Sequence, residues 1–220
     1  VELRTTNYEP TNYEPYNAAV PATALLVVSL AMASQAQERE AAPAQVVAEF
    51  RIFSGTDEIT PATRLRIMPT GTRDRSTIVP EGSPPLVEVP SGIYDVQAFR
   101  LRQGSIVGIR WAERLVLMYY PDEGGRHLEV INFEPGYGAL QVRAARGTSE
   151  DYDIEIFPVG DRSTPVGAPL AGDGYRLFVV PAGRYDIRVR PAGSVNDAAE
   201  TRWFLDVEVP ADRTRLKVIG

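Results

Sequence analysis

His127, in the stretch EGGRHLEV, is the single histidine of a 220-residue chain. A lone imidazole does acid–base chemistry only if a nucleophile and an orienting carboxylate come within hydrogen-bond reach. The sequence has no G-x-S-x-G elbow to present a nucleophile and no second histidine for a zinc site. It has no cysteine either, which removes thiol catalysis, disulfides and thiolate-bound metals. His127 follows a turn and opens an alternating segment, so a solvated strand-end histidine is the expectation. The carboxylate groups Asp57–Glu58, Asp122–Glu123 and Glu150–Asp151–Asp153 lack EF-hand spacing. Solvated turns are expected there ahead of a weak Ca²⁺ site or an acid/base pair. No catalytic residue, no metal ligand and no cofactor is assigned.

Binding chemistry is better represented. In RLVLMYYPDEGGRH, Met118, Tyr119 and Tyr120 stand at the end of an alternating run, where alternation must expose one of the two tyrosines. In TRWFLDVEV, Phe204 is out of phase with an inward set of Trp203, Leu205, Val207 and Val209. Exposed aromatics of this kind pack against a protein partner or a neighbouring domain, or stack on sugar rings. Met118, Tyr119, Tyr120 and Phe204 are therefore the candidate binding residues.

The elements that must carry them read as strands. Period-two alternation runs through VVAEFRIF, RLRIM, GRYDIRVR, TRWFLDVEV and RLKVI. Turn-forming clusters such as PTGTRDR, PEGSPP, PDEGG and PAGSVND separate these runs. No segment after residue 37 sustains helical spacing, so the fold class is all-β.

The chain also repeats itself. VPSGIYDV at 89–96 returns as VPAGRYDI at 180–187, LRIMPTG at 65–71 as IEIFPVG at 154–160, and DRST at 74–77 as DRST at 161–164. Trp111 and Trp203 follow the two motifs at similar distances. One register relates all of these, so a unit of about 90 residues is duplicated. Each unit has strands enough for a two-layer sandwich. The expected organisation is sandwich 46–133, linker 134–138 (EPGYG) and sandwich 139–220, set end to end.

In the repeated motif, Pro90-Ser91-Gly92 and Pro181-Ala182-Gly183 make a turn, and Tyr94 and Tyr185 begin the next strand facing inward. An inward Tyr beside a corner can return its hydroxyl to the turn backbone, as in the tyrosine corner of Greek-key sandwiches. Tyr94, Tyr185, Gly92, Gly183, Pro90, Pro181, Trp111 and Trp203 recur in both copies and are assigned to the fold. Function is expected in exposed features that differ between the copies.

On the strand motif read as VEVPSGIYDV and FVVPAGRYDI, both copies resemble the transthyretin-like, carboxypeptidase-regulatory-like and PEGA-type Ig-like modules of bacterial exported and envelope proteins. The resemblance implies a β-sandwich over 46–220 and a non-catalytic accessory, adhesion or binding role.

Residues 20–36, VPATALLVVSLAMASQA, hold an apolar run followed by small residues, the pattern of a secretory signal peptide. Residues 1–19, with their TNYEPTNYEP duplication, are expected to be a non-structural upstream segment, and 37–45 a linker. The expected location is periplasmic or secreted, with no stable membrane span after processing. A net charge of −6 and scattered arginines argue against nucleic acid. An envelope protein is the expected partner, with polysaccharide as the alternative.

Overall fold

The computed structural model describes residues 43–119, 126–147, 149–193 and 200–220. The segments expected to be upstream sequence, signal peptide and most of the first linker lie outside these residues. Pro43–Gly220 forms one compact unit.

Fifteen strands among the described residues make four sheets. In sheet I, β1 (Gln45–Ser54) pairs antiparallel with β5 (Leu86–Pro90) and with the short β2 (Asp57–Glu58). Its other edge carries β8 (Arg126–Asn132), in parallel. Sheet II has the order β4 (Thr77–Val79), β3 (Thr63–Pro69), β6 (Gly92–Arg102), β7 (Ser105–Leu117), all antiparallel.

The second half of the chain repeats this plan. Sheet III is β11 (Leu170–Gly172), β12 (Tyr175–Pro181), β9 (Tyr137–Ala144), β15 (Thr214–Ile219), with β15 parallel to β9. Sheet IV is β10 (Tyr152–Pro158), β13 (Gly183–Pro191), β14 (Arg202–Val209). The alternation in the sequence predicts the all-β class correctly. Each sandwich adds a parallel pairing between its first and last strands, which alternation cannot reveal.

Alternation explains the cores. Ala48, Phe50 and Ile52 of β1 meet Leu65, Ile67, Val96, Ala98, Leu115 and Leu117 of sheet II. Leu140 and Val142 of β9 meet Ile154, Ile156, Ile187 and Val189 of sheet IV in the same way. Each sandwich thus buries one face of each of its sheets.

A third core joins the halves. Phe53 of β1 and Leu128 and Val130 of β8 point away from the first sandwich and pack on Ala139, Tyr175, Leu177 and Val179 of sheet III. The two sandwiches therefore stack sheet I against sheet III, and the end-to-end arrangement expected from the sequence is corrected. Polar bonds fasten the seam: Tyr175 Oη donates to Glu49 Oε1 at 2.7 Å, Arg51 Nη1 reaches Ala171 O at 3.3 Å, and Arg126 pairs with Asp173. Asn132, also buried, accepts from Gly55 N and Glu134 N and donates to Gly55 O. It thereby closes the passage from β8 into β9. Tyr137 and Gly138, expected in the linker, belong to β9.

Candidate functional site

The outward face of sheet II and the hairpin that extends it form the candidate site. β6 and β7 are joined by the two residues Gln103 and Gly104, with φ of 52° and 76°. Positive φ at both positions suits a primed hairpin turn, whose twist matches the strands and lets the hairpin run long. β7 ends the sheet and pairs through its ladder only with β6 among the described residues. Along it Ile106, Val107, Ile109 and Trp111 are all exposed, at 48%, 56%, 52% and 43%.

The corner residues stand near the start of β6 in sheet II, Tyr94, and of β13 in sheet IV, Tyr185. Tyr94 Oη donates to Pro90 O and Tyr185 Oη to Pro181 O, each at 2.6 Å. Each ring folds back over the glycine two residues earlier, so a Cβ on Gly92 would stand 3.4 Å from the Tyr94 ring and one on Gly183 3.5 Å from Tyr185. Burial raises the pKa of both phenols, which stay neutral donors. Tyr185→Phe should lower unfolding free energy by about 1–2 kcal/mol, since the Pro181 carbonyl loses its partner. Urea titration of the variant against wild type reads this directly.

The aspartate that follows each tyrosine has a role that periodicity alone does not expose. On β7 the positions opposite Tyr94 and Val96 are Leu115 and Ala112, and on β14 those opposite Tyr185 and Ile187 are Val207 and Phe204. Between these pairs one residue, Asp95 or Asp186, faces two, Glu113–Arg114 or Leu205–Asp206, which is a β-bulge in each copy. The extra residue takes a left-handed conformation, φ 55° at Arg114 and 58° at Asp206. Its N–H leaves the ladder and is accepted by the motif aspartate: Arg114 N to Asp95 Oδ1 at 2.9 Å, Asp206 N to Asp186 Oδ1 at 3.0 Å. The repeated Tyr-Asp pair was the available signal.

The bulge reverses the expected phase of β14 over Trp203–Leu205, while Val207 and Val209 face the core as expected. Phe204 packs on the second core, with Lys217 Nζ 4.7 Å above its ring, and is corrected from exposed candidate to partly buried contact. Leu205 is exposed, and Trp203 turns to the outer face, where it rests 5.5 Å from Phe157. Trp111 is outward in the same way, so neither tryptophan fills the core between its sheets. Met118 and Tyr119 are exposed just past β7, while Tyr120 lies outside the described residues. The structure places Met118 and Tyr119 at one end of β7 and Phe204 on a different sheet, so they make no common platform.

Asp186 is buried and its carboxyl is held below the ordinary aspartate range by the Asp206 N–H, then by Arg162, against the cost of burial. A lowered folded-state value contributes stability above the unfolded pKa of about 3.9 and loses it as pH falls through the folded one. Asp186→Asn should flatten the acid limb of stability against pH below about 4 relative to wild type. Urea midpoints between pH 2 and 6 test this.

His127 is half-buried rather than solvated. Its Nε2 lies 3.0 Å from Glu129 Oε1, and Glu129 Oε2 accepts from Thr214 Oγ1 at 3.2 Å. Thr214 Oγ1 in turn accepts from Val130 N. The hydroxyl faces the carboxylate, an order that ties β8 to β15. Among the described residues no cluster of three or more metal-ligating side chains forms, and no helix is long and apolar enough to cross a membrane.

The chain matches no protein-family model and no curated protein sequence. Among solved structures it is similar to the Bacillus anthracis TIE protein, at 15% identity and a TM-score of 0.27, over 80% of this chain and 34% of that one. It thus spans about a third of that protein's length. It is similar also to the C-terminal fragment of pilus adhesin SpaC from Lactobacillus rhamnosus GG, at 10% identity and a TM-score of 0.24, over 80% and 97% of the two chains. At such scores these likenesses decide neither fold nor role, which rest on the geometry above.

Proposed function

We propose that this chain is a non-catalytic protein-interaction module of an exported or envelope protein, and that it meets its partner along β7. The observation that carries this reading is that β7 pairs through its ladder only with β6 among the described residues and carries a row of exposed Ile106, Val107, Ile109 and Trp111. An open ladder edge offers main-chain hydrogen bonds to an added strand, and the apolar row offers area for it to cover. Soluble proteins keep such edges short or charged unless they are used. The resemblance to transthyretin-like modules and the signal-peptide pattern at 20–36 support export to the periplasm or beyond.

A photo-crosslinking residue at Val107 or Ile109 tests the reading in the native host, with Val218 of β15 as the exposed control. The expected result is one defined polypeptide adduct from 107 and 109 that is missing from 218. Equal labelling at all three positions, or saturable polysaccharide binding lost in Trp111→Ala, would overturn it and make the protein a carbohydrate-binding module.

A further inference from the structure

The duplication lets one half of the molecule show what fits the other. On the outer face of sheet IV, Trp203 lies against the buried Phe157, and the Arg162 guanidinium stacks 4.6 Å from the Trp203 ring centroid. Arg162 Nε donates to Asp186 Oδ2 at 2.8 Å. Arg188 adds a second cation, 5.0 Å from the Phe157 centroid and bonded through Nε to Glu155 Oε2 at 2.8 Å. Trp, Asp and a cross-strand apolar floor thus hold a guanidinium by stacking and by a charged hydrogen bond.

Strand register identifies the same three positions on sheet II. Met68 stands opposite Asp95 as Phe157 stands opposite Asp186, and Trp111 opposite Gln97 as Trp203 opposite Arg188. The cations are what differ. Gln97 replaces Arg188, and Arg66 replaces Glu155. Arg75, which corresponds to Arg162 in the repeated DRST, is carried away with the loop that leads into β4 on the far edge of β3.

What is left is a groove of about 660 Å³ lined by Met68, Thr72, Arg73, Asp95, Trp111 and Glu113. Asp95 Oδ1 accepts from Arg114 N and Thr70 Oγ1. Its Oδ2, the atom whose counterpart holds Arg162, has no hydrogen bond among the described residues. Asp95 and Glu113 are the acidic lining residues and Arg73 the basic one, with Arg66 bonded to Arg73 O beside them, so the open Asp95 Oδ2 is what selects a guest that donates hydrogen bonds.

We propose that the Trp111–Asp95 groove takes an arginine side chain presented by the protein partner. The inference rests on the interaction reading above and names the chemistry of the partner's contact. The guanidinium stacks on Trp111 over Met68 and donates to Asp95 Oδ2, as Arg162 does within the second sandwich. Arginine is preferred to lysine because the planar fork both stacks and bonds in one plane.

The chain has two tryptophans, so a ¹⁵N-labelled full-length sample has two indole N–H signals, one in each sandwich. Titration with the tripeptide acetyl-Gly-Arg-Gly-amide should move the Trp111 signal saturably and leave that of Trp203 in place. The citrulline tripeptide, equal in shape and uncharged, should bind about tenfold more weakly or not at all. Asp95→Asn keeps the acceptor for Arg114 N and should weaken the arginine probe severalfold with Trp203 unmoved. If that variant does not fold, the Arg66→Glu/Gln97→Arg pair, which installs the residues of the second sandwich, should block the probe instead. No shift of Trp111, equal shifts with citrulline or lysine, movement of both indoles, or a response to xylo- or cello-oligosaccharide alone would each overturn the proposal. The peptide needs no natural partner, so its failure is distinguishable from failure of the β7 crosslinks, and the reverse.

Discussion

Phe53→Ala should lower the unfolding free energy by about 3–5 kcal/mol and should weaken both sandwiches in one transition. Phe53 is fully buried, yet it lies on the face of β1 opposite Phe50 and Ile52 and so belongs to neither sandwich's own core. Its neighbours are the seam residues of sheet III. Truncation leaves a cavity bounded by two β-sheets, whose ladders limit how far the walls can collapse. Because the lost contacts stabilise one half only while the other is folded, the deficit falls on the coupling between them. Urea unfolding followed by far-UV circular dichroism and by Trp203 fluorescence in a Trp111→Phe background should give coincident midpoints, both shifted down. Separate transitions with only one midpoint displaced would show that the seam does not couple the halves.

Gly138→Ala should be at least as damaging as ordinary overpacking, which costs about 1–3 kcal/mol. A Cβ at Gly138 would stand 2.2 Å from Pro210 O and 2.9 Å from Val209 Cγ1. The nearest atom is a backbone carbonyl that no rotamer change can clear, so β9 or the turn between β14 and β15 must shift. Gly136→Ala is the comparison. It has φ of 82° and nothing within 4 Å of a Cβ, so it should cost only the left-handed penalty of about 1–2 kcal/mol. Thermal melts of the two variants should fall in that order. A melt for Gly138→Ala at or above that of Gly136→Ala would contradict the packing described here.

How far these features can be read from residues alone differs by kind. The corner at Tyr94 and Tyr185 is legible because all its parts lie within eight consecutive residues and occur twice. The phase of β7 and β14 is not, because alternation presumes a uniform period of two and one left-handed residue resets it. Trp203 and Phe204 exchange faces for that reason. Leu177-Phe178-Val179-Val180, an unbroken apolar run, is the pattern of a strand covered on both sides, and β12 is indeed buried between Tyr175 on the seam and Phe178 in the core. That run could have announced the stacking of sheets I and III. The groove at Trp111 had no such sign, because it arises from cations present in one copy and displaced in the other.

The parallel pairings also have a mechanical meaning. β1 opens and β8 closes the first sandwich, as β9 and β15 do the second, and each pair runs in the same direction. Tension applied between the two ends of either sandwich pulls such strands past each other along their length. The evenly spaced hydrogen bonds between Val47–Phe53 and Arg126–Asn132 are then loaded together, instead of being opened one at a time like a zipper. Rupture under force follows the unfolding barrier, not the equilibrium stability. A module tethered at one end and gripped at the other would therefore hold as a shear joint.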